Sequence, residues 1–441
     1  MTQLLQPGCP GCPFVKGCGG LAGLGGTLDL FGCAVEGHEH CEERGWTCFC
    51  NPHLFAERYS EAGGFEADLK RPLVVPKVET MPLYIPTIFH SGSRTEPLNL
   101  PWAALPVDSV IRMRRDGQFR AIAADGKSLR DQFNLAPTTK IIVTSVRPDQ
   151  VIEQFWRYHR SADAPAVLAG LGIDAITVPN FSFFDDCPRP HILYNWSRML
   201  RVAERFSAAG LGTILHLNAL TRADWRHWER ILQEQPDAKF VCKEFQTGLR
   251  KRDRGDQAYM ELVSLQTRLG RPIHPILIAG RRYLPKLAHD FPGGRFTIID
   301  ATPFMRTYYR RGLENTRNTR LKWRIRRTRV GESLHANLFE TIQTYESKLD
   351  RMAASVAQHP ELGLKVHPSP KPKVPRVTRV EDLPLFAGRH EKVSQKVPLN
   401  SSLQPPQNRQ VHPTRNNRYN GLVRRQIQVA PTHLEVSIPP S

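Results

Sequence analysis

The sequence predicts an α/β protein: a TIM-type (β/α)8 barrel with an N-terminal Cys-rich metal-binding segment and a disordered basic C-terminal tail. Three observations carry this prediction. Apolar runs of strand length alternate with amphipathic helical runs between about residues 81 and 330, seven of the nine cysteines lie within residues 1–55, and residues 357–441 are rich in Pro, polar and basic residues. Repeated βα units are typical of a parallel sheet.

Residues 1–55 predict a metal-binding segment, beginning with "CPGCPFVKGCGG". Closely spaced thiolates in a chain expected to be cytoplasmic suit zinc, and an Fe–S cluster is the alternative. The spacing matches no standard zinc finger closely, and a plain Cys-rich arm is disfavoured because unused reduced thiols are readily oxidised. The candidate ligands are Cys9, Cys12, Cys18, Cys33, Cys41, Cys48 and Cys50.

The barrel prediction rests on seven strand-like runs, most of them apolar on both faces as buried parallel strands are. Amphipathic helical runs at 192–210, 222–235 and 257–270 separate several of them. A doubly wound open sheet is the alternative, weakened because no Gly-rich phosphate turn follows the first strand. The predicted strands are residues 82–89, 140–146, 174–181, 212–218, 239–245, 272–280 and 295–300.

Other segments complete the predicted organisation. Residues 56–80 form a connector, and "VIRMRRDGQFRAIAADG" (110–126) predicts a hairpin turning at Asp116-Gly117. Residues 331–356 predict one amphipathic helix. The tail, 357–441, is predicted to be disordered and to tether nucleic acid non-specifically.

The composition favours a polyanionic partner, most commonly nucleic acid. The 441 residues carry 61 Lys and Arg against 42 Asp and Glu, a net charge of +19. An ordinary body with a basic tail is the alternative. No apolar run reaches the roughly 18 residues of a membrane span. The start, "MTQLLQPGCPGC", lacks the pattern of a secretory signal, so we expect a cytoplasmic protein without membrane contact.

Polar residues recur where the predicted strands end, which is where a TIM-type barrel keeps its active site. Asp and Asn also cap helices, so capping is the alternative explanation. Asp185 and Asp186 are adjacent and point apart on an extended chain, so we expect only one to enter the site. His216 alternates with the inward-facing set and is expected to be a packed polar residue. The strand-end candidates are Ser145, Asn180, Asp185, Asn218, Glu244 and Asp300.

Six segments, in order and spacing, resemble the tRNA-guanine transglycosylase superfamily, including its DNA-acting relatives. They are "MPLYIPTIFHSGSRTEPL", "FFDDCPRPHILYNWSRMLRVAERF", "GTILHLNALTRADW", "FVCKEFQTG", "RPIHPILIAG" and "IIDATPFMRTYYRRG", spanning about residues 81–312. The last is similar to a Phe-Asp-Cys-x-x-Pro-Thr-Arg motif, with the proline shifted by one position.

The resemblance implies roles for individual residues. Asp300 matches the family's nucleophile, Asp185 the acid that recognises the base, and Asn218 a base-contacting glutamine. Arg306 matches the arginine of the motif, and we expect Arg306, Arg310 and Arg311 to hold the nucleic-acid backbone.

Three departures separate the chain from the family pattern. At the end of the second predicted strand, Thr144 precedes Ser145 where the family pattern has an acid, so the family's second catalytic carboxylate has no match there. Lys243-Glu244 replaces a Gly-Gly pair and is expected to refill the base pocket. No cysteine follows Cys242, so the family's zinc site after the barrel is missing and DNA is favoured over tRNA as the substrate.

The sequence therefore predicts an enzyme acting on the N-glycosyl bond of a purine-like or modified base, either a DNA glycosylase or a base-exchanging transglycosylase. Asp300 would attack or stabilise the sugar C1′, and Asp185 would assist the leaving base. DNA modification or antiviral defence is the implied role. The alternatives are a tRNA base-exchange enzyme and a non-catalytic, metal-stabilised nucleic-acid-binding protein on a degenerate barrel. A purely structural Asp300, capping a helix and salt-bridged to Arg306, also stays open.

Overall fold

The structure is a computed structural model that describes residues 52–65, 68–113, 118–158, 163–183, 189–246, 248–250, 252–316, 319–329 and 331–359. The predicted metal ligands Cys9, Cys12, Cys18, Cys33, Cys41, Cys48 and Cys50 lie outside these residues. Asp185, Asp186, the turn Asp116-Gly117 and nearly all of the tail also lie outside them.

Eight parallel strands form one sheet that nearly closes on itself. In chain order the strands of the protein are β1 (Tyr84–Pro86), β2 (Trp102–Pro106), β3 (Ile111–Met113), β4 (Phe119–Ala121), β5 (Lys140–Thr144), β6 (Ala175–Thr177), β7 (Thr213–His216), β8 (Phe240–Glu244), β9 (His274–Ile278), β10 (Thr297–Asp300), β11 (Arg311–Leu313) and β12 (Trp323–Ile325). Neighbouring strands in the eight-stranded sheet follow the order β1-β10-β9-β8-β7-β6-β5-β2, and a parallel bridge from Thr87 to Ala104 joins the two edges. The Ile88 N–H donates to Ala104 O at 2.9 Å where these edges meet.

Helices follow most barrel strands, so the predicted α/β class is confirmed and the sheet is compatible with the predicted TIM-type barrel. Short 3-10 turns occupy Gly248–Arg250 and Arg281–Tyr283. The α-helices are α1 (Pro52–Glu61), α2 (Val107–Val110), α3 (Gly126–Gln132), α4 (Asp149–Tyr158), α5 (Ala164–Ala169), α6 (Arg189–Ala208), α7 (Arg222–Glu234), α8 (Arg252–Leu269), α9 (Leu284–Asp290), α10 (Thr302–Tyr308) and α11 (His335–Gln358).

Helix α7 shows how local sequence sets these elements. Thr221 Oγ1 accepts the Asp224 N–H at 3.1 Å and Asp224 Oδ2 accepts the Thr221 N–H at 2.9 Å, a reciprocal capping box that starts the helix. The buried ring of Trp228 then stacks on Trp196 of α6 at a centroid distance of 4.6 Å. Trp196 and Trp228 therefore pack the outer helices α6 and α7 against each other.

The core has two layers because side chains alternate across each strand. One cluster fills the barrel interior and includes Ile85, Ile142, Ile214 and Ile299. A larger cluster lies between the sheet and the helices. It includes the strand residues next to those of the interior cluster, such as Ile298 beside Ile299. Asp300, the residue after Ile299, therefore faces outward, toward the helices and away from the barrel interior.

Two small hairpins flank the barrel. Strands β3 and β4 pair antiparallel with Ile111 opposite Ala121, which confirms the predicted pairing. Strands β11 and β12 also pair antiparallel, and this second hairpin was not predicted. The predicted helix at 331–356 is observed as α11. In the part of the chain that the structure describes, no helix is long and apolar enough to cross a membrane.

Candidate functional sites at the barrel mouth and the arginine-rich hairpin

Asp300, the predicted nucleophile, is a buried and fully engaged carboxylate at the end of β10. It is 9 % exposed. Its Oδ1 accepts the Thr302 N–H at 2.8 Å and the Thr302 hydroxyl at 2.6 Å, at the first turn of α10. Its Oδ2 accepts the hydroxyl of Tyr345 from α11. Burial, followed by the Asp300 charge, raises the pKa of Tyr345, so the phenol stays protonated and keeps donating.

The direction of this carboxylate differs from the expected one. Asp300 shares a strand face with Ile298, which packs in the outer core, whereas Ile299 packs inside the barrel. The side chain therefore lies between β10 and helices α10 and α11 instead of facing the barrel interior. The alternative hypothesis, an Asp300 that caps a helix and is salt-bridged to Arg306, was wrong about the salt bridge. Within the described residues no ion pair joins Asp300 to an arginine, and the Arg306 guanidinium lies 5.8 Å from the Trp323 ring centroid.

The predicted base-contacting amides tether the loop that follows β6. Asn180 Oδ1 accepts the Arg147 N–H at 3.0 Å, and Asn218 Nδ2 donates to Phe181 O at 2.8 Å. Asn195 of α6 adds a third tether, donating to Ser182 O at 2.7 Å. This loop leads into the segment that contains Asp185, which lies outside the described residues. The amides thus position a loop at the barrel mouth.

A polar layer does occupy the mouth. Continuing the alternation of the interior cluster by one step places Thr144, Thr177, His216 and Glu244 on the inner faces of β5, β6, β7 and β8. Thr177 Oγ1 accepts the Ser145 N–H at 2.9 Å, which fixes the ends of β5 and β6 together. The interior below this layer is apolar, so the carboxyl ends of four neighbouring strands carry the polarity that a ligand site needs.

Among the residues of this layer, His216 has the poorest hydrogen bonding. It is 1 % exposed, and within the described residues neither ring nitrogen has a hydrogen-bond partner of normal geometry. Burial, aided by the Lys243 charge and opposed by the Asn218 amide, lowers the pKa of His216 to about 3. The imidazole is therefore neutral at physiological pH, with one donor and one acceptor. Buried polar groups without partners are rare and call for an explanation.

Ser145 resembles His216 in this respect. It is 1 % exposed, and its Oγ has no hydrogen-bond partner within the described residues. Sequence reasoning included Ser145 but treated His216 as a packed residue. The period-two alternation of β7 was the signal for its direction, whereas its lack of a partner required coordinates.

Lys243 and Glu244 separate to opposite faces of β8, so the expectation that both refill a base pocket was wrong for the lysine. Lys243 Nζ donates to Leu217 O at 2.7 Å and lies 5.2 Å from the Trp225 ring centroid of α7. Burial lowers the pKa of Lys243 to about 8, although the Glu244 charge opposes the shift. Glu244 lies on the inner face, where Oε2 accepts the Gln246 N–H at 2.7 Å.

This buried amine predicts a specific pH dependence of stability. The pKa is about 8 in the folded protein against an ordinary value of 10.5. Between these values the unfolded state holds a proton that the folded state has released, so stability rises with pH. We expect wild type to gain stability relative to Lys243→Met from pH 8 to 10.5, by about 3 kcal/mol at most. Urea unfolding of both proteins across this range measures the difference; a constant difference would contradict the assignment.

The predicted backbone arginines lie on a second surface, formed by α10 and the β11–β12 hairpin, which we call the arginine-rich hairpin surface (residues 305–329). Glu314 pairs with Lys322 and Arg324, and Glu340 pairs with Arg326. Among the described residues, no carboxylate partner is found for the six other arginines that the structure describes on this surface, nearly all of them exposed. These are Arg306, Arg310, Arg311, Arg320, Arg327 and Arg329.

Large apolar side chains stand between these arginines. Tyr309 is 66 % exposed and Ile325 is 75 % exposed, and Met305 is exposed as well. The backbone between α10 and β11 turns through Arg310, whose φ of 56° lies in the left-handed region that favours glycine. Sequence reasoning missed Tyr309 and Ile325, because an exposed apolar residue looks like a core residue until its burial is known.

Within the described residues no group of three or more His, Cys, Asp or Glu side chains could hold a metal ion. Cys242 is buried and unpaired, and burial raises the pKa of its thiol.

No protein-family model matches the chain, and comparisons with curated proteins and with solved structures give no significant match. The resemblance to transglycosylases therefore stays a prediction from motifs, and function has to be argued from the two surfaces described above.

Proposed function

We propose that the protein binds nucleic acid through the arginine-rich hairpin surface. The observation that carries the proposal is the set of six arginines there without a carboxylate partner in the described part of the chain. A guanidinium not already paired with an acid is free to bind a phosphate, often through two hydrogen bonds. The net charge of +19 adds a long-range attraction to any polyanion.

Binding of the full-length chain to labelled DNA and RNA strands tests the proposal. If the six arginines each neutralise one phosphate, the logarithm of the binding constant should fall against the logarithm of salt with a slope of about −4 to −5. Fluorescence anisotropy across a salt series measures this slope. A slope near zero, or no binding at low salt, would exclude the proposal.

A second candidate is the N-glycosyl-bond enzyme implied by the resemblance, with DNA as the favoured substrate. The polar layer at the barrel mouth supports it, because neutral His216 has no hydrogen-bond partner of normal geometry in the described residues. In this candidate a carboxylate stabilises or attacks the sugar C1′ while the base leaves. Glu244 is better oriented for that role than Asp300, because it lies on the inner face of β8 whereas Asp300 lies on the outer face of β10.

Base release distinguishes the residues. Wild type, Glu244→Gln and Asp300→Asn are incubated with normal and base-modified DNA and tRNA, and free bases and abasic sites are measured by mass spectrometry. If only Glu244→Gln loses activity, the carboxylate that acts on the sugar is Glu244 at the barrel mouth. Loss in Asp300→Asn alone, with stability retained, would restore Asp300 as the nucleophile. The absence of base release with every substrate would leave binding as the only proposed function.

A further inference from the structure

We infer that the arginine-rich hairpin surface binds an unpaired strand in preference to a duplex, with bases stacked on Tyr309 and packed against Ile325. The inference rests on the proposed function and deepens it, because phosphate binding alone does not distinguish the two kinds of nucleic acid. Stacking requires an exposed ring or apolar face, and a duplex hides the faces of its bases.

Tyr309 is held out from the surface by the backbone on both sides. It directly follows α10, and its N–H donates to Met305 O at 3.1 Å. The next residue, Arg310, adopts the left-handed conformation, and Arg310 O accepts the Arg326 N–H at 2.7 Å. The turn is therefore fixed by hydrogen bonds to both the helix and the hairpin, and the exposed ring extends from a well-anchored position.

The hairpin register places Ile325 among cations. Arg311 lies directly opposite Ile325, and Leu313 lies opposite Trp323. Residues directly opposite in an antiparallel pair share a face of the ribbon. Leu313 is buried and Trp323 is half-buried beneath Arg306, so the same face is packed at one end and reaches solvent at the Arg311–Ile325 end.

The combination of charge and apolar exposure identifies the ligand. A surface for an apolar protein partner would not carry six cations without carboxylate partners, and a surface that binds only phosphates has no use for a ring that is 66 % exposed. Alternating guanidinium groups and apolar faces match the alternating phosphates and bases of a single strand. The sequence-tolerant character of stacking indicates little base preference.

The test uses the full-length chain and three fluorescein-labelled ligands, each of about 20 nucleotides or base pairs: an oligothymidine strand, the same strand with every base replaced by an abasic tetrahydrofuran unit, and a duplex. We expect the thymidine strand to bind more tightly than the other two. The double variant Tyr309→Ala/Ile325→Ala should lose at least about fivefold in affinity for the thymidine strand, with no change in salt slope. Its affinity for the abasic strand should be unchanged, because the phosphates and their arginines remain.

The matched control removes exposed apolar side chains elsewhere, Tyr59 (42 % exposed) and Met260 (56 % exposed). Tyr59→Ala/Met260→Ala should bind all three ligands as wild type does. Equal binding of the thymidine and abasic strands, tighter binding of the duplex, or a double variant without effect would each overturn the inference while leaving the proposed function in place. Failure to bind any of the three ligands would overturn both.

Discussion

Replacing Arg320, Arg327 and Arg329 by serine is expected to weaken nucleic-acid binding about a hundredfold near 0.1 M salt and to reduce the salt slope by about 2 to 3. Each of these side chains is exposed, and none has a carboxylate partner in the described residues. Their removal therefore breaks no ion pair or side-chain hydrogen bond found among the described residues, and stability should change by less than about 0.5 kcal/mol. Anisotropy titrations at several salt concentrations and urea unfolding give the two quantities.

The control variant lowers the net charge by the same amount at the other end of the barrel. Lys77 precedes β1, Lys140 opens β5 and Arg295 precedes β10, so all three lie near the amino-terminal ends of strands. Serine at these positions should reduce affinity only slightly. If both triple variants lose affinity equally, binding depends on total charge and not on the arginine-rich hairpin surface.

The second large effect concerns the cluster around Asp300. Asp300→Ala would leave the Tyr345 hydroxyl and both donors of Thr302 without their acceptor inside the protein. Buried donors left unpaired cost about 1–3 kcal/mol each, so we expect a loss of about 3 kcal/mol in the free energy of unfolding. Tyr345→Phe removes one donor and should cost about 2 kcal/mol.

Asp300→Asn is the matched variant, because an amide keeps the shape and can still accept from Thr302. It should retain most of the stability, with a loss of about 1 kcal/mol. Urea unfolding with an unchanged m value measures all three variants. If Asp300→Ala is as stable as wild type, the carboxylate is not part of the fold, and its predicted chemical role regains weight.

The parallel sheet was predictable from sequence because buried parallel strands are apolar on both faces. The same property hid the direction of Asp300: in "TIID" both isoleucines are buried, and only the packing of neighbouring elements shows which of them faces inward. The partner of Asp300, Tyr345, lies 45 residues further along the chain, and no local pattern connects them. Tertiary contacts of this kind set the role of a residue.

Two strands, β2 and β12, were missing from the sequence prediction for local reasons. Strand β2, Trp102–Pro106, is short and bounded by prolines, which are typical of loops and strand edges. Strand β12 lies within "RLKWRIRRTR", where charged residues outnumber apolar ones. Because of this composition, an outer hairpin cannot be distinguished from a basic loop in the sequence. Glu244 followed from the end of its strand and lies at the mouth. Ser145 also followed from a strand end, but it is out of phase with the inward-facing Thr144. Asn180 and Asn218 proved to be loop tethers, because their amides bind main-chain groups.

The left-handed turn at Arg310 has a consequence for protein engineering. Schemes that stabilise a protein by relaxing its backbone would choose glycine at this position, since a side chain there is disfavoured. The substitution would remove a cation from between α10 and β11 and free the turn that presents Tyr309. A substitution of Arg310 by glycine would then raise thermal stability while weakening the nucleic-acid binding proposed above. Any heat-stable variant of this protein should therefore be tested for nucleic-acid binding when this position is changed.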